Sequence, residues 1–422
     1  MSGAKLMPGA LRALTADGRL LFVTRFARLF AYGSLSVILV FYLVGIGLTE
    51  VQAGLVLTLT LAGDIVVSLY LTTQADRIGR RRMLIAGAAL MTAAGLAFAS
   101  TRSLFFLVVA GTIGVISPSG HEVGPFLPIE QAALSHIVPG GARTEIFAWH
   151  TLAGSMATAL GALCGGFLTE ALQRHSVTPV MSYRAVVLLY AALGVFLAFL
   201  FARLSTSVEA RAGREYKGAA AASKAGFLGI RESRRIVLKL ASLFALDSFG
   251  GGFVVQSFAA YWFYLRFGVE PKTLGAIFFW ANVLAGISAL AASWLATRIG
   301  LVRTMVATHL PSNVLLILVP LMPTLALAVA VLLLRFSISQ MDVPTRQSYT
   351  MAVVPPEERS AAGGITGVAR TTGAAISPLF AGFLFARPSL ANVPFFLAGG
   401  LKAVYDLLLY FSFRKLRPPE EH

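Results

Sequence analysis

Along nearly its whole length the chain repeats one pattern: a run of about twenty apolar residues, a short polar break, then another run. A hydrocarbon core about 30 Å thick needs about that many residues per helical crossing. The runs lack the period-two alternation of barrel strands, and an open sheet edge has no hydrogen-bond partner in lipid, so the runs are read as helices. Composition agrees, with 57% hydrophobic and only 13% charged residues, against about 25% charged in soluble domains. The spacing predicts twelve spans, at 20–47, 51–75, 83–100, 104–137, 143–172, 182–204, 238–266, 272–296, 303–322, 324–352, 359–386 and 391–413.

The formal net charge is +16, but the basic residues fall in breaks between apolar runs rather than on a soluble domain. No nucleic-acid partner is expected. Arg77, Arg80, Arg81 and Arg82, then Arg298 and Arg303, then Arg359, and both chain ends share one side, which the positive-inside rule puts in the cytoplasm. A basic stretch, 205–236, divides the chain into bundles at 1–204 and 237–422, and near a membrane it would attract anionic lipid. Cys164, the one cysteine, permits no internal disulfide. Met1 to Arg19 lacks a small-residue cleavage site, so the first span is expected to be retained.

The halves repeat each other. Arg77, Gly79 and Arg82 correspond to Arg298, Gly300 and Arg303 at an offset of 221 (298 − 77). Pro128, Gln131, Pro139, Arg143 and Gly166 correspond to Pro344, Gln347, Pro355, Arg359 and Gly382 at an offset of 216 (347 − 131). Two ordered matches point to parallel six-helix repeats related by an axis along the membrane normal, a transporter architecture.

The stretch Thr72-Thr73-Gln74-Ala75-Asp76-Arg77-Ile78-Gly79-Arg80-Arg81-Arg82-Met83-Leu84 resembles the loop between the second and third helices of the major facilitator superfamily. Thr72 stands where that family usually has Gly. The resemblance covers essentially the whole chain and implies an all-α membrane protein of twelve transmembrane helices in two pseudo-symmetric six-helix bundles. It implies a gating role for Asp76, Arg77, Gly79, Arg80 and Arg81, with Asp76 facing the start of helix 11. Gly161-Ala162-Leu163-Cys164-Gly165-Gly166 is similar to the antiporter signature of the family's drug exporters, with Ala162 in place of proline. Small residues at this spacing also allow close helix contact in any bundle.

Ionisable residues at membrane depth are costly and therefore candidates for function. Span 1 carries Arg25, Arg28, Tyr32 and Ser36 on one face; span 10 carries Arg335, Ser339, Asp342 and Arg346 at the same spacing. Span 4 offers His121, Glu122 and Glu130, and span 7 offers Asp247 and Gln256. In the resembling family spans 1, 4, 7 and 10 line the central cavity, which makes Arg28, Tyr32, Glu122, Glu130, Asp247, Gln256, Arg335, Asp342 and Arg346 the expected solute-binding set. Glu130 aligns with Arg346 at the 216 offset, so the two are candidates for substrate contact or a pair between the halves. A carboxyl away from water favours its neutral form, so Glu122, Asp342 and Asp64 are the expected proton-coupling groups. Asp64 is read most simply as the partner of an arginine on a neighbouring helix, and Tyr261, Trp262 and Tyr264 as anchors at the membrane interface.

No phosphate-binding Gly-x-x-x-x-Gly-Lys loop, metal-ligand spacing or nucleophile beside a base is present in the sequence. No cofactor, metal or enzymatic activity is expected. The leading expectation is a monomeric multi-pass protein of a bacterial inner membrane, exporting a small organic solute in exchange for protons or another coupling ion. An importer, an anion exchanger using the arginines of spans 1 and 10, and a non-transporting receptor are the alternatives.

Overall fold

Apolar runs of this length fold by closing every backbone hydrogen bond within a helix, since lipid supplies no partner. The computed structural model describes residues 14–138, 143–209, 232–355, 358–414 and 416. The first half contains α1 (Ala16–Gly45), α2 (Glu50–Ile78), α3 (Arg80–Ser100), α4 in two pieces (Leu104–Ile113 and Phe126–Ile137), α5 (Arg143–Arg174) and α6 (Pro179–Ala202). The second contains α7 in two pieces (Arg234–Gly252 and Gln256–Phe267), α8 (Pro271–Ile299), α9 (Leu301–Leu318), α10 in two pieces (Leu325–Phe336 and Asp342–Ala352), α11 (Arg359–Phe385) and α12 (Val393–Phe413). Ten of these crossings are long and apolar enough to span a membrane, and the first pieces of α4 and α10 are shorter apolar helices. The fold is two six-helix bundles.

Local chemistry sets the helix ends. Thr49 and Gln52 form a reciprocal capping box at the start of α2. Gly79 and Gly300, matched at the 221 offset, have φ of 118° and 85°, which lets α2 turn into α3 and α8 into α9 without a connecting loop. Glu209 then caps α3, accepting from the amides of Arg80 at 2.6 Å and Arg81 at 3.2 Å. Glu358 does the same for α7, accepting from Glu232 at 2.9 Å and Ser233 at 3.1 Å. Most of the basic stretch 205–236 lies outside the described residues.

Three of the expected continuous spans are interrupted. Span 4 opens between Ile113 and Phe126, where Pro118 and Pro125 remove donors and clash with the preceding turn. Span 7 opens at Phe253–Val255 after three consecutive glycines, and span 10 opens between Phe336 and Asp342. The freed backbone groups find partners inside the protein. The Pro118 carbonyl accepts from the Ser257 amide at 3.2 Å and the Ser257 hydroxyl at 2.6 Å, bonding the α4 break to the α7 break across the halves. Gly124 donates its amide to Asp64 at 2.7 Å, Gly120 accepts from Thr158 at 3.1 Å, and Gln340 donates its amide to Ser288 at 3.2 Å.

The halves meet through two backbone crossings. A methyl on Gly54 of α2 would lie 2.4 Å from the Pro378 carbonyl oxygen of α11, and one on Gly382 would lie 2.4 Å from the Glu50 carbonyl oxygen. The symmetric crossing joins Gly166 of α5 to Pro271 and Gly275 of α8. Both lie on the side opposite the turns at Gly79 and Gly300, which define the basic face. On that opposite side Lys272 also pairs with Glu170 at 3.3 Å, Tyr261 donates to Glu50 at 2.8 Å, and Phe41 packs edge-on against Tyr264. α5 and α8 remain together as far as Ser155 and Gly286. Toward the basic face a methyl on Gly364 or Gly367 of α11 would meet nothing within 4 Å.

A contrast tests this packing. Gly382→Ala is expected to lower unfolding stability by about 1–3 kcal/mol through overpacking. Gly364→Ala is expected to be neutral, or stabilising by up to about 1 kcal/mol through helix propensity. Denaturation midpoints in detergent decide; equal effects at both positions would show that α2 and α11 do not cross closely.

Candidate functional site

The breaks in α4, α7 and α10 converge on one cavity of about 160 Å³, lined mainly by the second half and closed on one side by the α4 break of the first. Ser119 and His121 reach it from the α4 break, Gln256 from the start of the second α7 piece, Arg335 and Gln340 from the α10 break, and Lys402 from α12; no carboxylate is among the described residues that line it. Gln256 also ties the halves together, donating to Ser36 at 2.8 Å while accepting from Asn282 at 3.1 Å.

On the first half's side sits a charge cluster built on α1. The Arg28 guanidinium binds both oxygens of Glu130, at 2.7 and 2.8 Å, and reaches Glu122 at 3.2 Å. Thr24 donates to Glu130 at 3.0 Å, and the Arg28 guanidinium lies 4.7 Å from the centre of the Phe126 ring. Arg25 pairs with Glu122 at 3.1 Å and meets His150 of α5 at 3.2 Å. The pair at the centre is fully buried, with Arg28 and Glu130 side chains 0% exposed, whereas Glu122 is 18% exposed. Tyr32 stands one turn further along α1 and donates to the Val123 carbonyl at 3.4 Å.

The second half carries the counterpart with the charges exchanged: the α7 residue is acidic and the α10 residue basic. Asp247 accepts from Arg346 at 3.0 Å and from Lys402 at 2.6 Å, and Arg346 also pairs with Asp342 at 3.3 Å. His309 and Asn313 of α9 both engage Asp406 of α12 at 2.8 Å, and His309 comes within 3.5 Å of Lys402. Asp247, His309 and Asp342 offer ligand atoms within 4.8 Å of one another. Both Asp247 oxygens are already held by cations, so the arrangement is that of an ion-pair network rather than a metal cage.

The expected candidates therefore divide into three places. Arg28, Tyr32, Glu122 and Glu130 come together in the first cluster, Asp247, Asp342 and Arg346 in the second, and Gln256 and Arg335 line the cavity. Glu130 and Arg346 are not paired with each other; each is ion-paired within its own half. Arg335 and Asp342 do not share the face of one continuous helix, because α10 breaks between them. Asp64 meets no arginine. It accepts from Gly124 and, at 3.1 Å, from Ser68, and so supports the α4 break.

The interfacial-anchor reading holds for neither Trp262 nor Tyr261. Trp262 is fully buried against Phe395, with its indole N–H on Asn392 at 2.9 Å, and Tyr261 joins α7 to α2. Tyr264 remains exposed. In the signature turn Arg80 and Arg81 hold the carbonyls of Val208 and Leu204, at 3.3 and 3.2 Å, so they clasp the segment after α6. The Asp76 side chain lies outside the described residues. His150, His309, Asn313, Lys402 and Asp406 were not anticipated. The visible signal was polar residues four apart inside apolar runs, His309 with Asn313 and Lys402 with Asp406.

The Arg28–Glu130 pair makes a measurable prediction. Glu130→Gln is expected to cost about 3–5 kcal/mol of unfolding stability, because a buried guanidinium loses its main counter-charge. Replacing both residues with Leu leaves Arg25 balanced by Glu122 and is expected to cost less than the single change. A double-mutant cycle on denaturation midpoints reads the coupling; additive losses would mean the two side chains do not act as a pair.

The chain matches the family model described as Major Facilitator Superfamily over residues 21–341 and 251–422. It is 31% identical over 426 residues to the uncharacterized membrane protein YJR124C of Saccharomyces cerevisiae, covering 95% of each chain. Among solved structures it resembles the nucleoside transporter NupG with a TM-score of 0.74 at 12% identity, covering 94% of this chain and 100% of that one. A D-xylose-proton symporter gives 0.70 at 15% identity, with coverage of 93% and 97%. The human organic anion transporter MFSD10 gives 0.62 at 17% identity, with coverage of 94% and 100%. With the sequence match spanning both bundles and the fold agreeing with it, the chain belongs to the major facilitator superfamily.

Proposed function

We propose that this protein is a proton-coupled secondary transporter that exports a small organic solute by alternating access. One observation carries the reading: three interrupted helices, one from the first half and two from the second, meet at a cavity in the second half that the α4 break of the first half borders. Irregular backbone at membrane depth is tolerated where it lines a cavity, and broken helices at a repeat interface are where transporters hold their cargo. Contacts between the halves gather on the face opposite the basic turns, so rocking about the two glycine crossings would open the cavity to one side and close it to the other. The printed names of the structural relatives, a nucleoside transporter and a proton symporter of D-xylose among them, fit solute transport without selecting a cargo.

The coupling proposal centres on Glu122. It is the most water-accessible carboxylate of the two clusters and it neutralises both Arg25 and Arg28. Adding a proton there would leave two guanidinium groups with one remaining carboxylate, Glu130, and so tie protonation to the arrangement of α1 and α4. Asp342 and Asp64 are the further coupling candidates, one in the second cluster and one on the α4 break. The positive-inside rule supports a cytoplasmic basic face with both chain ends on it. A gating role for the turn containing Asp76, Arg77, Gly79, Arg80 and Arg81 is supported by the grip of Arg80 and Arg81 on the segment after α6. The resemblance of Gly161–Gly166 to the signature of the family's drug exporters supports export as the direction.

Purified protein in vesicles containing a pH-sensitive dye tests this reading. Solute-dependent proton flux is expected, inward when solute leaves, and Glu122→Gln is expected to abolish gradient-driven accumulation while uncoupled exchange persists. Symport of solute and proton in one direction would overturn export, and unaltered accumulation by the variant would remove Glu122 as the coupling group.

A further inference from the structure

The charges on and behind the cavity wall do not balance. In the second half Arg335, Arg346, Arg370 and Lys402 stand against Asp247, Asp342 and Asp406, four basic side chains to three acidic ones. Arg346 and Lys402 are held by carboxylates. The Arg335 side chain differs from both: among the described residues it has no ion pair or hydrogen bond, its Nε is sealed from solvent without a partner, and its guanidinium lies 4.9 Å from the centre of the neighbouring Phe336 ring. The α10 break leaves this side chain on the cavity wall, outside the ion pair that Asp342 and Arg346 form after the break. The arginines of α1 offer no such vacancy, since Glu122 and Glu130 take them.

Resting on the reading of this cavity as the solute site, we infer that its cargo is a small organic monocarboxylate whose anionic end is bound by Arg335. A planar guanidinium presents paired donors that match a carboxylate, and Arg335 is the only arginine among the described lining residues, so one negative charge answers it. Lys402, held 2.6 Å from Asp247, adds positive potential to the same wall. Ser119, His121 and Gln256 supply hydrogen-bonding groups for the far end of the molecule, and Phe336 an apolar surface between. At roughly 30 Å³ per water the cavity of about 160 Å³ holds about five waters, which limits the cargo to a molecule of about that many non-hydrogen atoms unless the cavity widens. A phosphate ester, carrying about −1.5 to −2, would overcompensate Arg335, the one lysine or arginine that lines the cavity without an ion pair among the described residues.

Thermal shift on the purified full-length chain tests the inference without requiring transport, so its outcome is independent of the vesicle assay. The ligands are straight-chain and 2-hydroxy monocarboxylates of three to eight carbons, the amide of each acid, and inorganic phosphate. Saturable stabilisation by at least one acid is expected, with its amide and phosphate at least about tenfold weaker, the fold-change for losing a charged hydrogen-bond pair. Arg335→Gln is expected to erase the preference of acid over amide, and Arg335→Lys to retain it at reduced affinity. If a variant fails to fold, the ranking of acid, amide and phosphate on the unmodified chain decides alone. Equal shifts for acid and amide, tighter binding of phosphate, no shift from any acid, or a preference that survives Arg335→Gln would each overturn it.

Discussion

Everything distinctive about this molecule follows from the need to satisfy backbone amides and carbonyls where water is absent. Nine of the twelve crossings do so within uninterrupted helices. The other three open at their middles, and each opening is closed again by a named partner: Ser257 and Pro118 join two openings to each other, Asp64 holds Gly124, and Ser288 holds Gln340. Those partners shape the cavity, because Ser119, His121, Gln256 and Gln340 reach it from the opened segments or their edges.

The two charge clusters are best understood as supports for this arrangement. Each ties the first helix of a half to the fourth, α1 to α4 and α7 to α10, on the flank of an opening. A buried pair of this kind adds little net stability over apolar packing but strongly penalises any geometry that parts its members. Exchanging acid and base between the halves gives each bundle its own internal pairing. The clustered carboxylates find their cations within their own half, and among the described residues the halves meet through glycines, hydroxyls, the Gln256 amide and the Lys272–Glu170 pair.

The twelve crossings, the internal duplication and the glycine turns were all legible in the sequence, because lipid makes apolar length nearly synonymous with helical span and Gly79 and Gly300 recur in register. The openings were visible in part: Pro118, Pro125 and Gly250–Gly252 are poor helix material, yet apolar runs passed straight over them. Pairing was the hidden layer. Arg28 finds Glu130 across 102 positions, a proximity that periodicity does not encode. The same limit placed Arg335 with Asp342 on an imagined continuous face, although Lys402 with Asp406 displayed their importance openly as charges one turn apart in an apolar run.

The bare crossings at Gly54 with Gly382 and Gly166 with Gly275 have a mechanical consequence. Backbone resting on backbone, with no side chains dovetailed between, can roll like a smooth journal in its bearing, with no rotamer to click past at each increment. Resistance to swinging then resides in separate catches off that axle, the Tyr261–Glu50 and Gln256–Ser36 hydrogen bonds and the Lys272–Glu170 pair, so the pace of the cycle and the axis of the cycle are set by different residues.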